Sequence, residues 1–553
     1  MSKLIRSTAF ILGFDEQQFY ATLFVTLFLA LALWVWRPFS PISRIPTSVP
    51  DLLFPIRVVF LRLNGTWLKE TMAMHRTHGK LVRTGRNEVS ITDLKEAKRI
   101  FATHTFRKAL FEEVTAFGVE NTFTTPNPLL NHQRRRLLRP AFTIANISSI
   151  EDRILNAGPL SLKRKLEADL DRAMAESGCD RIRFNYYFDI YYAMFDTIGE
   201  LGFGGSFGIL HNHDYLALHG IEAMNRLAML QALMPSFKDL IPRLAYDPHN
   251  HIIKLRSFIE TLIDKRLLLL KELEDKAKLT GQPIEKPNDL LQNFIDRTDF
   301  SLPSSKEGGG GSIKGKLNRD ELMSELTIQV SAGPETSSST MHWALFFLQA
   351  YPECYSKVVN EIRSKFPNKA KPIRYSTDHN ELPYLEAVIW ETLRILPVAS
   401  NPLIRSVPES EDGKEPGAVI CGYRVPPGTY IFMSAIAIHH DPDLWEEPER
   451  FMPERFLGEE GIARRKNLFA FSSGARECPG KNFALSIMFM FLANILRDYD
   501  LEIPEDVPFG PHVINPETGY PKVLTPQLAM IVMPADPKRH SVLWLKRSNI
   551  PTA

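Results

Sequence analysis

Eighteen consecutive residues near the start of the chain, Phe19 to Trp36, carry no charge. At ~1.5 Å per residue, a helix of that length spans roughly 27 Å, close to the hydrocarbon thickness of a bilayer. Tyr20, Trp34 and Trp36 lie near its ends, where amphipathic rings favour the membrane interface. The pattern predicts a transmembrane anchor over about residues 19–36, within an N-terminal segment 1–36. Arg37 and Arg44 follow it, and the positive-inside bias then directs the rest of the chain to the cytosol. Pro38, Pro41, Pro46 and Pro50 fix φ in the next stretch, so residues 37–50 predict a semi-rigid hinge.

Past the hinge the period changes. GKLVRTGRNEVSITD alternates apolar and polar residues, which predicts short strands and turns from about Gly79 to Asp93. Residues from about 130 to 300 recur at helical spacing, as in IIKLRSFIETLIDKRLLLLKELED. Residues 301–317 are polar and glycine-rich and predict a flexible surface loop. Asn318 and Glu321 then have the spacing of a capping box, ahead of a helix from about Asp320 to Ala350. Leu385, Val388, Ile389, Leu393 and Leu396 form the apolar stripe of a further helix over Leu382 to Leu396. Strand and turn chemistry resumes in GYRVPPGTYIFMSAIAI. The whole predicts one large, mostly α body over residues 51–540 with a minor β region, and a C-terminal tail over 541–553.

Composition narrows the classes. Of the 553 residues 44% are hydrophobic and 24% charged, which excludes a disordered or fibrous chain. The 66 basic and 64 acidic residues leave a net charge of +2, so no global field suits nucleic acid. Cys179, Cys354, Cys421 and Cys478 lie far apart and form no CxxC pair, which argues against a disulfide framework or a zinc ribbon.

One cysteine stands in a distinctive setting. Phe471, Gly474, Arg476, Cys478 and Gly480 spell FxxGxRxCxG immediately before an apolar helix. Glycines beside the cysteine allow a tight turn close to a bulky planar partner. The helix start favours the thiolate, nearby amides can donate to its sulfur, and Arg476 can pair with an anionic group on whatever the cysteine holds.

This segment closely resembles the heme-binding loop of the cytochrome P-450 family, of the membrane-anchored microsomal, fungal-like type. Glu391-Thr-Leu-Arg394 and Phe451-Met-Pro-Glu-Arg455-Phe456 resemble its ExxR and PERF elements, in the family's order. Ala332-Gly333-Pro334-Glu335-Thr336 resembles its oxygen-activation motif, with Pro334 a departure expected to deepen a kink and Gly333 expected to make room for dioxygen. The resemblance implies a cytochrome P-450 fold holding heme b, with Cys478 as axial iron ligand. It implies that Glu391, Arg394 and Arg455 lock the loop, and that Arg476 and Arg405 hold the propionates beside Phe471. It also implies that Glu335 and Thr336 deliver protons. LLNHQRRRLLRPAF resembles the family's propionate-binding helix in two registers, Asn131 with Arg135 or His132 with Arg136, so Arg135 and His132 are both candidates.

The implied reaction inserts one atom of O2 into a lipophilic substrate of steroid, terpenoid or fatty-acyl type. Electrons would come from NADPH–cytochrome P-450 reductase, or a small cytochrome b, at the endoplasmic reticulum membrane with the catalytic body on the cytosolic face. Arg134, Arg135, Arg136, Arg139 and Lys481 are the expected basic docking face. The competing expectations are a heme-thiolate isomerase or dehydratase that needs no reductase, and a non-catalytic heme sensor.

Overall fold

The computed structural model describes residues 41–48, 61, 65–85, 87–109, 119–233, 246–303, 316–400, 403–528 and 531–549. The expected anchor lies outside them. Among the described residues, no helix is long and apolar enough to cross a membrane. The body is mostly helical with a smaller β region. The helices that position the site are, in chain order, α1 (Trp67–His78), α2 (Leu94–Ala102), α3 (Pro128–Leu138), α4 (Pro159–Ser177) and α5 (Phe188–Phe203). After them come α6 (Leu216–Leu233), α7 (Tyr246–Thr280), α8 (Arg319–Ala350), α9 (Pro352–Lys365), α10 (Pro383–Ile395), α11 (Ala435–His439) and α12 (Lys481–Asp498).

The long helix α8 forms the axis. The Asn318 side chain accepts from the Glu321 amide at 2.9 Å, and the Glu321 carboxylate accepts from the Asn318 amide at 3.0 Å, completing the predicted capping box. Leu322, Leu326, Val330, Met341, Trp343 and Leu348 bury its apolar surface. The stripe of α10 meets α12, where Ile487, Phe489, Phe491 and Leu492 are all buried. Each such side chain stabilises the fold by about 1.5–3 kcal/mol. Gly220 lets α6 lie close along α7, since a Cβ there would sit 2.5 Å from that of Leu255.

The main sheet runs β1 (Leu81–Gly85), β2 (Glu88–Ile91), β8 (Tyr430–Met433), β5 (Arg405–Ser406), β3 (Arg107–Lys108). β2 and β8 are parallel and the other neighbours antiparallel. A second sheet orders β4 (Arg181–Asn185), β12 (Val542–Arg547) and β9 (Tyr499–Glu502). Two-stranded ribbons join β6 (Ala418–Ile420) to β7 (Tyr423–Val425) and β10 (Pro526–Leu528) to β11 (Val532–Pro534).

Three expectations change. The described part of the expected tail over 541–553 is no tail, because β12 is the central strand of its sheet and buries Leu543 and Leu545. The described part of the hinge is not a free spacer: Ile42 and Ile45 are buried with Val89 and Ile431, and Arg83 donates its amide to Pro46 O at 2.8 Å. The SAIAI stretch leaves the strand pattern because the Ser434 hydroxyl caps Ala437, starting α11.

Candidate active site

The cysteine loop is wound by local turns. The Cys478 amide donates to Phe471 O at 2.8 Å. Gly474 takes φ +62°, and a Cβ there would overlap Ala102 Cα at the end of α2. The loop is also pinned from outside: the Arg135 guanidinium donates to Glu477 O, and Arg476 Nη2 to Thr125 O, both at 2.8 Å. Phe471 stands edge-on to Trp390 of α10 at 6.2 Å. Cys478 is exposed by surface area, yet burial is the main force raising its thiol, followed by lowering from the Gly480 amide and Arg135. Both statements hold if the sulfur opens onto a space inside the body. Cys354 and Cys421 are pushed up to about 11 by burial and stay thiols.

Beneath the loop lies a buried lock. Glu391 takes a fork of two bonds from Arg394, at 2.7 and 2.8 Å, and a longer one from Arg455 at 3.4 Å. Arg394 also donates to the carbonyls of His439 and Pro448, at 2.8 and 2.9 Å. His439 continues the chain of bonds: its Nε2 accepts from the Phe469 amide at 3.0 Å, while Nδ1 faces Arg394 O at 3.1 Å. Burial holds that imidazole down at about 3, so it is neutral and can accept. The ExxR helix is thereby tied to the start of the cysteine loop.

Above the loop edge is a concentration of positive charge. Arg405, on β5, is buried and stacks on Phe101 at 4.7 Å. Arg476 Nη1 is buried without a hydrogen-bond partner. Burial and their mutual repulsion bring Arg405 down to about 10, and burial with Arg135 does the same to Arg476. His104 is lowered by burial and then by Arg476, His132, Arg405 and Arg135, which gathers all five groups in one place. Among the described residues no carboxylate is ion-paired with either Arg405 or Arg476.

On α8 the predicted segment presents two faces. Ala332 is exposed although its helix is buried along most of its length, and Thr336, one turn on, donates its hydroxyl to Ala332 O at 2.8 Å. Gly333 faces elsewhere: a Cβ there would lie 3.0 Å from Ile198 Cδ1, so this glycine admits α5 rather than widening the groove as expected. Helical hydrogen bonding continues on both sides of Pro334. Glu335 is half-buried and accepts from Asn225 Nδ2 at 3.1 Å. Burial first, then the Glu222 carboxylate, push its carboxyl up to about 7.

A family model described as cytochrome P450 matches residues 49–530. The chain belongs to the cytochrome P450 family. It is similar to cytochrome P450 monooxygenase helB3 of Aspergillus fumigatus, with 31% identity over 530 residues that cover 94% of this chain and 97% of the relative. The monooxygenase helB2 of the same fungus is 30% identical over 537 residues, 95% of this chain and 99% of its own. FUS8 of Gibberella moniliformis is 27% identical over 482 residues, 84% of each. The chain is thus a P450 oxidoreductase of the monooxygenase group.

A P450 carries a heme-thiolate iron cofactor, and the donor set here fits one. The Cys478 sulfur lies where burial weighs on it, beside the Arg135 charge. The buried Arg405 and the half-buried Arg476, with one unpartnered buried nitrogen, repel each other close by, without an ion-paired carboxylate among the described residues. That is the complement of a planar group with a metal centre and anionic edges. Arg135 and His132 both lie in the charged cluster, whereas Arg136 is exposed and Asn131 is buried, donating to Thr122 O at 2.7 Å.

The expected docking face needs correction. Arg134 is 2% exposed and pairs with Glu321 at 3.0 Å and Glu325 at 3.5 Å, so it braces α3 against α8. Arg135 turns toward the cysteine loop, and Lys481 pairs with Glu477 at 2.9 Å. Arg136 and Arg139 remain exposed. Sequence reasoning passed over His104, Asn225, Ser331 and His439, which belong to none of the motifs above. Their roles arise from contacts between distant segments.

Proposed function

We propose that this P450 inserts one atom of O2 into a lipophilic substrate of steroid, terpenoid or fatty-acyl type, on electrons passed from NADPH by a separate reductase. In this reading it works on the cytosolic face of the endoplasmic reticulum membrane, anchored by residues 19–36. The observation that carries it is the Cys478 thiol beside the Arg135 charge, with Arg135 in the same positive cluster as Arg405 and Arg476, neither of which has an ion-paired carboxylate among the described residues. Heme b, when bound, supplies the iron centre on which oxygen is activated.

The chain's own residues do the rest. Cys478 gives its thiolate, and the Gly480 amide and the Arg135 charge favour that form against the cost of burial. Arg405 and Arg476 hold the propionates, with Arg135 and His132 closing the same cluster. Phe471, edge-on to Trp390, would line the cofactor's seat. Thr336 spends its proton on Ala332 O and so keeps its lone pairs free to accept. Glu335, near 7, exchanges a proton readily at neutral pH and is placed one residue from that hydroxyl.

The deciding test is spectroscopic. In the reduced, carbon-monoxide-bound protein the red-shifted band of thiolate ligation should disappear in Cys478→Ser and persist in Cys354→Ser and Cys421→Ser. Its survival in the Cys478 variant would overturn the assignment.

A further inference from the structure

Asn225 belongs to α6, yet its side chain reaches α8 and touches it twice. Its Nδ2 donates to Glu335 Oε2 at 3.1 Å, and its Oδ1 accepts from the Ser331 hydroxyl at 3.2 Å. Ser331 is buried one turn before Glu335 on the same helix. Among the described residues, no other side chain is hydrogen-bonded to the Glu335 carboxyl. The remaining groups that face it are all poor fixers of its direction. Glu222 of α6 repels it, and Tyr187, just before α5, and Tyr191 of α5 couple to it only through space. Burial raises Glu222 against the pull of Arg226 and His219 on α6 and of His251 on α7, and among the described residues no cation is paired with Glu335.

An amide suits this position for a reason a cation would not. The two ends of an Asn side chain are one donor and one acceptor, and a hydroxyl is both. With Glu335 ionised, Nδ2 donates to it and Ser331 donates to Oδ1, as in the structure. With Glu335 protonated, the amide can turn so that Oδ1 accepts from the acid while Nδ2 donates to the Ser331 oxygen. Each state therefore keeps two hydrogen bonds, and the carboxyl keeps its direction while its proton comes and goes. A lysine or arginine would favour the ionised form alone and pull the acid away from the neutral range.

We propose that Asn225, oriented by Ser331, is the positioning residue of the Glu335 acid, so that the seating of α6 on α8 governs proton delivery toward Thr336. The proposal rests on the reading of Glu335 given above and extends it to a second helix. Displacement of α6 by a ligand would loosen the acid, and its return would aim it again.

The test uses the full-length, heme-loaded protein in detergent, titrated by infrared difference spectroscopy at the carboxylic C=O stretch. The Glu335 band is the one absent from Glu335→Gln. Asn225→Leu removes a hydrogen bond from both forms, but the charge-assisted bond to the carboxylate is the stronger of the two, so the midpoint of that band should rise by about one pH unit, a tenfold gain in proton affinity. Asn225→Asp keeps the size and adds a like charge, so it should raise the midpoint at least as far. The carbon-monoxide band should be retained in both, which separates positioning from unfolding, and either variant alone suffices if the other is not recovered. A midpoint unmoved in the recovered variants would overturn the proposal. Product formed per NADPH in Glu335→Gln tests the underlying reading separately: if that ratio is unchanged while the Asn225 variants shift the band, the tether stands and the catalytic role of Glu335 falls.

Discussion

Gly474 and Gly480 both belong to the cysteine-loop signature, and the sequence treats them alike. The structure separates them. An alanine at 474 must hold φ near +62°, which costs about 1–2 kcal/mol for an L residue. Its Cβ would also overlap Ala102 Cα and lie 2.6 Å from that residue's carbonyl oxygen and 2.8 Å from its carbonyl carbon. Those are backbone atoms at the end of α2, so no side chain can swing aside. Relief requires moving the loop or the helix, at a further cost of about 1–3 kcal/mol. The sum is about 2–5 kcal/mol, concentrated on the segment that sets the height of Cys478. At Gly480 φ is −87°, and a Cβ would sit 3.8 Å from the Phe142 ring and 4.0 Å from the Cys478 sulfur, ordinary contact distances. Gly480→Ala should therefore stay within about 1 kcal/mol of the parent, the residual cost being a slightly poorer cap on α12. The assay is heme bound per mole of chain, read from the reduced carbon-monoxide difference spectrum, alongside the denaturation midpoint. Gly474→Ala should show a loss in both and Gly480→Ala in neither. Equal loading and equal midpoints in the two variants would refute the close approach of α2 to the loop.

Thr336→Ala should retain the carbon-monoxide spectrum but form less product per NADPH, with general acid–base assistance typically worth ~10²–10⁴-fold as an upper guide; unchanged coupling would remove Thr336 from the proton path. Because Glu335 is raised to about 7, it is protonated below that value and ionised above it, so product per NADPH should fall as pH rises through about 7. A profile that is flat from pH 6 to 8 would show that another group supplies the proton. Glu391→Gln weakens the pairing of a fully buried Arg394 and should destabilise by as much as about 3–5 kcal/mol, read as a lowered denaturation midpoint and lost heme. Deleting residues 1–36 should free the protein for extraction by carbonate, whereas deleting 1–48 also removes Ile42 and Ile45 from the core and should lower stability by roughly 1.5–3 kcal/mol per side chain; equal stability of the two truncations would contradict that packing.

What the chain discloses locally, it disclosed well. The capping box of Asn318 and Glu321, the apolar stripe of α10 and the β1–β2 pair are properties of a few adjacent residues, and each stands where the pattern put it. The cysteine loop was legible for the same reason. Positions set by distant partners were not. Nothing in VLWLKR announces pairing with Arg181–Asn185, and nothing in the RRR run says which arginine turns inward. Gly333 looked like a gap for a ligand until Ile198 of α5 was found against it. Asn225 is an unremarked polar residue in an amphipathic helix, and only the closure of α6 on α8 gives it a partner.

Arg405 at 1% exposure and the half-buried Arg476, with one buried unpartnered nitrogen, repel each other, a cost that the chain without an anionic partner would carry in full. An anionic cofactor that neutralises them binds the folded state and not the unfolded one, so its free concentration adds directly to stability through mass action. A chain left without such a group would carry the repulsion uncompensated and open more often, so the seat of the cofactor is also where the fold's resistance to proteolysis would be set.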